Sequence, residues 1–241
     1  MKRNIYLGLI IAGMVVLSSC EDFWTDCVEG NHRPVEQERV IQSFDRLYAT
    51  GAFDVFVERA DSVSFRIIGE ENLLNHITSD VFNNKLNLEV EDHICLRNNI
   101  PIRVFITTPS LRQVTFTGSG LIECDTIEVS SFEAENTGSG DIEVDYLDTE
   151  RLEAKILGSG DIELEGRADQ SRLEILGSGN IYTLDLLQAS CDARIMGSGN
   201  IYTYVTNELD ARITGSGNIY YKGNPDISSR ITGSGQVIRY R

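Results

Sequence analysis

The tripeptide Gly-Ser-Gly occurs seven times, at residues 118–120, 138–140, 158–160, 177–179, 197–199, 215–217 and 233–235, with spacings of 20, 20, 19, 20, 18 and 18 residues. A fixed period near 20 residues means a solenoid: each repeat is one structural unit that buries its apolar side only by stacking on its neighbours. Two residues after each motif stand Ile122, Ile142, Ile162, Ile181, Ile201, Ile219 and Val237. Two residues before it stand Phe116, Asn136, Ile156, Ile175, Ile195, Ile213 and Ile231, and four before it Val114, Ala134, Ala154, Leu173, Ala193, Ala211 and Ser229. Apolar and polar residues alternate, so the period is two and the elements are strands.

Each coil therefore reads as a short strand, a Gly-Ser-Gly corner, a second strand and a variable return. Glycine suits the corner because it reaches positive φ and lets coils stack closely, and serine can satisfy backbone groups at the bend. Like residues on successive coils then form inward ladders of Ile and Ala. The expected fold is all-β: a parallel β-helix-like solenoid, right-handed by the crossover rule for parallel strands, with 18–20 residues per coil. The last coil ends Gln236-Val237-Ile238-Arg239-Tyr240-Arg241, which puts charge on an open sheet edge and opposes stacking with another chain.

Residues 37–117 repeat less cleanly. Phe53–Val57, Val63–Ile67, Leu86–Val90 and Ile102–Ile106 read as strands, Asn83-Asn84 as a turn and Glu70 to Ile77 as a short helix. This part is expected to form less regular coils covering the first end of the solenoid.

The first residues are an address. Lys2 and Arg3 precede an apolar run from Ile5 to Val16, followed by Leu17-Ser18-Ser19-Cys20. The run is shorter than the roughly 20 residues that a spanning helix needs. Leu-Ser-Ser-Cys resembles a bacterial lipobox, which makes Cys20 the lipidated first residue of an exported protein held by several acyl chains. The organisation expected is a signal peptide over 1–19, a lipidated tether over 20–39, an irregular β part over 40–117 and the repeat solenoid over 118–241. Glu21, Asp22 and Asp26 after the anchor resemble a signal for display on the outer surface, or form a solvated tether. Phe23 and Trp24 suit either the membrane interface or the underside of the domain. The expected location is the outer membrane, and the sequence leaves open which side of it the domain faces.

The chain carries 37 acidic and 21 basic residues; without Lys2 and Arg3 the count is 37 against 19, or −18. Such an excess opposes binding to nucleic acid or an anionic lipid surface and favours cationic partners and divalent metals. Cys27, Cys95, Cys124 and Cys191 remain in the exported part, where disulfides are permitted, but their spacing favours none of the three pairings.

Pro109-Ser110-Leu111 leads through Val114 and Phe116 into Gly118-Ser119-Gly120, followed by repeated Gly-Ser-Gly-[Asp/Asn]-Ile. With Phe44, Leu47, Gly51, Phe53 and Val55, this pattern resembles the autotransporter adhesin "head GIN" domain family over residues 40–241. The resemblance implies a β-helix-like fold and an adhesin label that is itself an inference. It implies no catalytic residues.

Nothing in the repeat is catalytic in form. A dinucleotide fingerprint needs a later glycine and a helix, and a nucleophile elbow needs Gly-x-Ser-x-Gly before a helix. His32, His76 and His93 lack metal-ligand spacing. The outward positions hold more. Asp141, Glu143, Asp161 and Glu163 stack with Glu123, Asp125, Asp145 and Glu165 into carboxylate rungs, an oxygen-rich face suited to calcium or simply to water. On later coils Tyr182, Tyr202, Tyr204 and Tyr220 replace them, and Arg194, Arg212 and Arg230 form a stack before the corners. Exposed rings beside arginines form a candidate ligand-binding face for a glycan or a host or envelope protein; the alternative is a ladder that merely stabilises the coils.

Three functions are weighed: a non-catalytic, lipid-anchored surface protein acting in adhesion or recognition, a structural spacer or assembly unit of the envelope, and a β-helix carbohydrate-active enzyme. Coils of 18–20 residues leave no room for the long loops from which such enzymes build clefts. No cofactor is expected beyond calcium.

Overall fold

The computed structural model describes residues 26–240; the expected signal peptide over 1–19, Cys20, Phe23, Trp24 and Arg241 lie outside them. The N-terminal part comprises β1 (Asp26–Glu29), β2 (Pro34–Glu38), β3 (Arg46–Arg59), β4 (Ser64–Glu70), α1 (Glu71–Leu74), β5 (Ile77–Phe82), β6 (Lys85–Val90), β7 (Ile94–Arg97) and β8 (Arg103–Thr108). The solenoid follows with β9 (Gln113–Asn136), β10 (Asp141–Ile156), β11 (Ile162–Gly177), β12 (Ile181–Gly197), β13 (Ile201–Gly215), β14 (Ile219–Gly223), β15 (Asp226–Gly233) and β16 (Val237–Arg239).

From β9 to β16 every pairing is parallel and in the register of the repeat. Ile122 pairs with Ile142, Ile142 with Ile162, Ile162 with Ile181, Ile181 with Ile201, Ile201 with Ile219 and Ile219 with Val237. These isoleucines are buried and form one inward column, while Ala134, Ala154, Leu173, Ala193 and Ala211 form another. The result is a β-solenoid with an apolar interior.

The backbone N–H groups of Ser139 and Gly140 both donate to the carbonyl of Gly118, one coil earlier, at 2.9 and 3.0 Å, and the pattern recurs at each later corner. Both reasons expected for glycine are found: a Cβ on Gly138 would lie 2.2 Å from the Gly118 oxygen although Gly138 has no positive φ, and at Gly197 the same close contact is joined by a φ of 144°. The serine contributes its amide; the only hydroxyl contact among the motif serines is Ser234 to Ser216 at 3.2 Å, among the described residues.

The variable returns are strand as well. Coils this close in length pair nearly end to end, and bulges absorb the mismatches, as between Thr183 and Leu187 and between Gln188 and Ser190 where a 20-residue coil meets an 18-residue one.

Residues 37–117 form the parallel rung β3, a further and interrupted parallel layer made by β6 and β8, and antiparallel strands that cap it. β3 is the rung: Gly51 pairs with Gly118 and Phe53 with Gly120, so Phe53 occupies the place of the second motif glycine and is buried. Beyond it β8 continues in parallel, and β4 and β2 add antiparallel strands that finish the sheet with polar edge residues. The predicted helix shrinks to the four residues of α1. β1 pairs only with β7, where Cys27 and Cys95 form a disulfide, while Cys124 and Cys191 are free and buried. Glu70 fastens this corner. Burial works against its charge, but donors from Asn99 (N–H and side-chain amide), His32 N–H and Ile100 N–H outweigh that and hold its pKa down at about 2.

Candidate functional site on the sides of the coils

Outward residues stack as faithfully as inward ones, so each outward position becomes a column along the solenoid. The column after the corner reads Glu123, Glu143, Glu163, Tyr182, Tyr202, Tyr220. Its acidic half is strained electrostatically: burial first, then the charges of Glu163, Glu123, Asp141 and Asp145, push the Glu143 carboxyl above its ordinary pKa.

Asp141 and Asp161, expected on the same acidic face, do something else. Asp141 Oδ1 accepts the Asp161 N–H at 2.8 Å, and Asp161 Oδ1 accepts the Asn180 N–H and Nδ2–H at 2.7 and 3.0 Å. Asn180 serves Asn200 in the same way, Asn200 serves Asn218, and Asn218 accepts from Gln236 N–H. These side chains form a hydrogen-bonded ladder that takes up the backbone N–H groups beside the corner, while the carbonyls of Asp161, Asn180, Asn200 and Asn218 accept from the isoleucine N–H groups of the preceding coil. Among the described residues no group of three or more His, Cys, Asp or Glu is arranged to hold a metal ion.

The tyrosines stack on one another. Tyr182 and Tyr202 lie with centroids 5.0 Å apart and planes 13° from parallel, Tyr202 and Tyr220 at 4.7 Å and 9°, and Tyr240 meets Tyr202 edge-on at 6.4 Å. The ring faces that would stack on a sugar are therefore covered by each other, and what reaches solvent is edge and hydroxyl. Tyr204 stands outside this column and packs under the Lys222 ammonium, 4.8 Å from its ring centre.

Arg194, Arg212 and Arg230 do stack in register, but on the strand before the corner, whereas the tyrosines follow it. No guanidinium lies over a ring of the tyrosine column among the described residues. Arg194 is bound to Asp192, and Arg212 to both Asp192 and Asp210. The tyrosines and arginines expected to form one face thus stand on two separate ladders, and of the arginines Arg194 and Arg212 are taken up by aspartates while Arg230 has no ion pair among the described residues.

The concavity lies elsewhere. A groove of about 440 Å³ runs across β9 to β13 ahead of the corner. One wall is the column Ser131, Arg151, Gln170, Ser190, Glu208, and the next column adds Glu153 and Arg172. Between them the groove reaches inward residues: the ladder that starts with Phe132 and Leu152 narrows to Ser171 and Cys191 before widening again at Leu209. Beneath it sits a buried polar cluster. Ser171 donates to Gln188 Oε1, and Gln188 Nε2 donates to Thr203 and Thr183 hydroxyls at 2.9 and 3.1 Å. Burial pushes the Cys191 thiol up to about 11, against the pull of hydrogen bonds from Ser171 and Thr203, so it is held as the unreactive thiol. Sequence reading missed this groove. The one available signal was the replacement of large inward residues by Ser171 and Cys191 in an otherwise apolar position.

A family model described as "Putative auto-transporter adhesin, head GIN domain" matches residues 43–225. Solved structures are similar over most of the chain. A protein titled a putative adhesin from Bacteroides fragilis is 25% identical, with 88% of this chain and 100% of that one covered and a TM-score of 0.85. One titled a putative lipid binding protein from Parabacteroides distasonis is 26% identical, with 90% and 100% covered and a TM-score of 0.77. A further putative adhesin from Parabacteroides distasonis, 21% identical with 89% and 100% covered and a TM-score of 0.73, shares the fold. The search of curated proteins found no significant match.

Proposed function

The chain belongs to the auto-transporter adhesin head GIN domain family, and from that premise we propose that it is a non-catalytic recognition module of the bacterial envelope, anchored through lipid on Cys20. The adhesin label of the family and the similar proteins supports binding over chemistry. So does the site: the groove ahead of the corners is lined by Glu153, Gln170, Arg172 and Glu208, whose side chains have no partner among the described residues, and its lining holds no nucleophile–base pair. That groove is the observation that carries the reading. The solenoid supplies a rigid wall on which outward residues repeat at strand spacing, about 4.8 Å, a period suited to an extended ligand lying along the coils.

The test is a screen of the ectodomain, Glu21 to Arg241, against glycans and host glycoproteins. A saturable, reproducible ligand supports the reading. A blank screen with folded protein favours a spacer or assembly unit instead. Anchoring is checked separately: labelled fatty acid should enter the wild type and fail to enter Cys20→Ala.

A second reading, lipid capture, draws on the description of the similar Parabacteroides distasonis protein as a putative lipid binding protein and on an apolar cavity of about 290 Å³ lined by Phe53, Val90, Ile94, Leu96 and Ile102. Native mass spectrometry of the purified ectodomain would reveal retained lipid if this reading holds.

A further inference from the structure

We propose that the groove is a saccharide site for a sugar unit bearing a single carboxylate, with Arg172 as the residue that takes that carboxylate. The inference rests on the recognition reading above and names its ligand class.

Arg103, Arg172 and Arg230 make no side-chain hydrogen bond or ion pair among the described residues, and of these three Arg172 is the one that lines the groove. The chain has 37 acidic residues against 21 basic ones, so a guanidinium has carboxylates on every side. Its neighbours on the same sheet face use them: Arg194 is paired with Asp192, and Arg212 with Asp192 and Asp210. Arg172 stands in register between Glu153 and Asp192, yet it makes no hydrogen bond or ion pair among the described residues. Asp192 cannot serve it readily because its two oxygens are already held by Arg194 and Arg212. An arginine fork is built for bidentate binding of a planar carboxylate, and this one is left empty on a groove wall.

The rest of the lining fits a polyol. Glu153, Gln170 and Glu208 carry no hydrogen bond or ion pair among the described residues, and Ser131 and Ser190 bring hydroxyls to the same groove. Free carboxylates and an amide oxygen accept from sugar hydroxyls, of which each sugar unit offers several, against one N–H per residue of a peptide backbone. The groove volume of about 440 Å³ lies within the range of small-ligand sites, roughly 300–1,000 Å³.

Charge limits the ligand further. With Asp192 and Asp210 neutralised by Arg194 and Arg212, and Arg151 held by Glu150 at 3.8 Å, the groove keeps Arg172 against Glu153 and Glu208, a balance of −1. Arg172 is thus the one unpaired cation of the lining, which sets the limit at one ligand carboxylate per unit. A densely sulfated or phosphorylated chain is repelled by a protein of net charge −16. No aromatic residue lines the groove, so recognition there is by hydrogen bonds and one ion pair rather than by stacking.

The experiment is calorimetric or NMR titration of the whole ectodomain with sialyllactose and digalacturonate, with lactose and a Glu-rich hexapeptide as controls. At least one acidic sugar should bind saturably, and lactose at least tenfold more weakly. Arg172→Gln should weaken the acidic sugar at least tenfold and bring it to the level of lactose. Arg172→Lys should fall between, because it keeps the charge but loses the fork, and Glu153→Gln should weaken acidic and neutral sugars alike. Arg172 and Glu153 are exposed, so unchanged melting curves will show that the variants fold. Equal binding of neutral and acidic sugars, peptide binding as tight as sugar binding, absence of binding by both acidic sugars, or indifference to Arg172→Gln each overturns the inference. If the glycan screen succeeds while Arg172→Gln is silent, recognition stands and this site falls. If the screen is blank as well, both fall together.

Discussion

Tyr202 lies face to face with Tyr220, ring centres 4.7 Å apart and planes within 9° of parallel. The same ring is covered on its other face by Tyr182 at 5.0 Å. A ring covered on both faces is a structural element, whatever its hydroxyl touches. Tyr202→Ala is therefore expected to cost about 2 kcal/mol through lost burial and two lost stacking contacts, and Tyr202→Phe less than about 0.5 kcal/mol. Urea denaturation of the two variants checks this, and equal losses for both would refute it.

The corner glycines are expected to be far less tolerant than the serine between them. A Cβ at Gly138 meets the Gly118 carbonyl at 2.2 Å, and backbone cannot move aside without parting two coils. Gly138→Ala should destabilise by at least about 3 kcal/mol, or prevent folding, whereas Ser139→Ala at an exposed position should stay within about 0.5 kcal/mol. Soluble yield and denaturation midpoints of the pair are the measurement.

Glu70 sets an acid limit on the cap. Its folded pKa of about 2 lies below the ordinary value of 4.5, so it binds protons less readily in the folded state. Its stabilising contribution is complete above pH 4.5 and is lost as pH falls from there through about 2. Glu70→Gln should be less stable than wild type at neutral pH, with the difference shrinking across that acid window. A difference that grows on acidification would reverse the assignment.

The disulfide between Cys27 and Cys95 spans a sequence separation of 68 residues and joins β1 to the cap. By the chain-entropy relation its reduction should cost about 4 kcal/mol. Cys124 and Cys191 should stay unlabelled by iodoacetamide in the native protein, because both are buried and burial pushes both thiols upward in pKa. Thiol counting by mass should give no labelled cysteine before reduction; labelling of Cys191 in the native state would show that its position beneath the groove is open.

The inward columns were legible in advance because their cause is local. Ile142, Ile162 and Ile181 recur two residues after a corner, and strand geometry leaves a residue at that position no direction but inward. The first rung escaped because its corner keeps one glycine of the motif: Gly51 aligns with Gly118, but Phe53 stands where Gly120 stands one coil later. The outward residues were legible as columns, but the partners each of them takes were not. Tyr182, Tyr202 and Tyr220 were legible as a stack, while the covering of their faces depends on side-chain orientation across coils.

Sequence alone determined the repeat, the period of two and the identity of each column, because these follow from spacing along one chain and from steric limits on the backbone. Tertiary structure decided which polar groups are spent and which remain. Asp141 and Asp161 are taken up by neighbouring amides, Arg194 and Arg212 by Asp192 and Asp210, and Arg172 by none among the described residues. Hydrogen bonds and ion pairs are short-ranged and directional, so a carboxylate is claimed by whichever donor the stacked coils bring within about 3 Å. That competition is settled between residues some 20 apart in sequence, and only the packed coils resolve it.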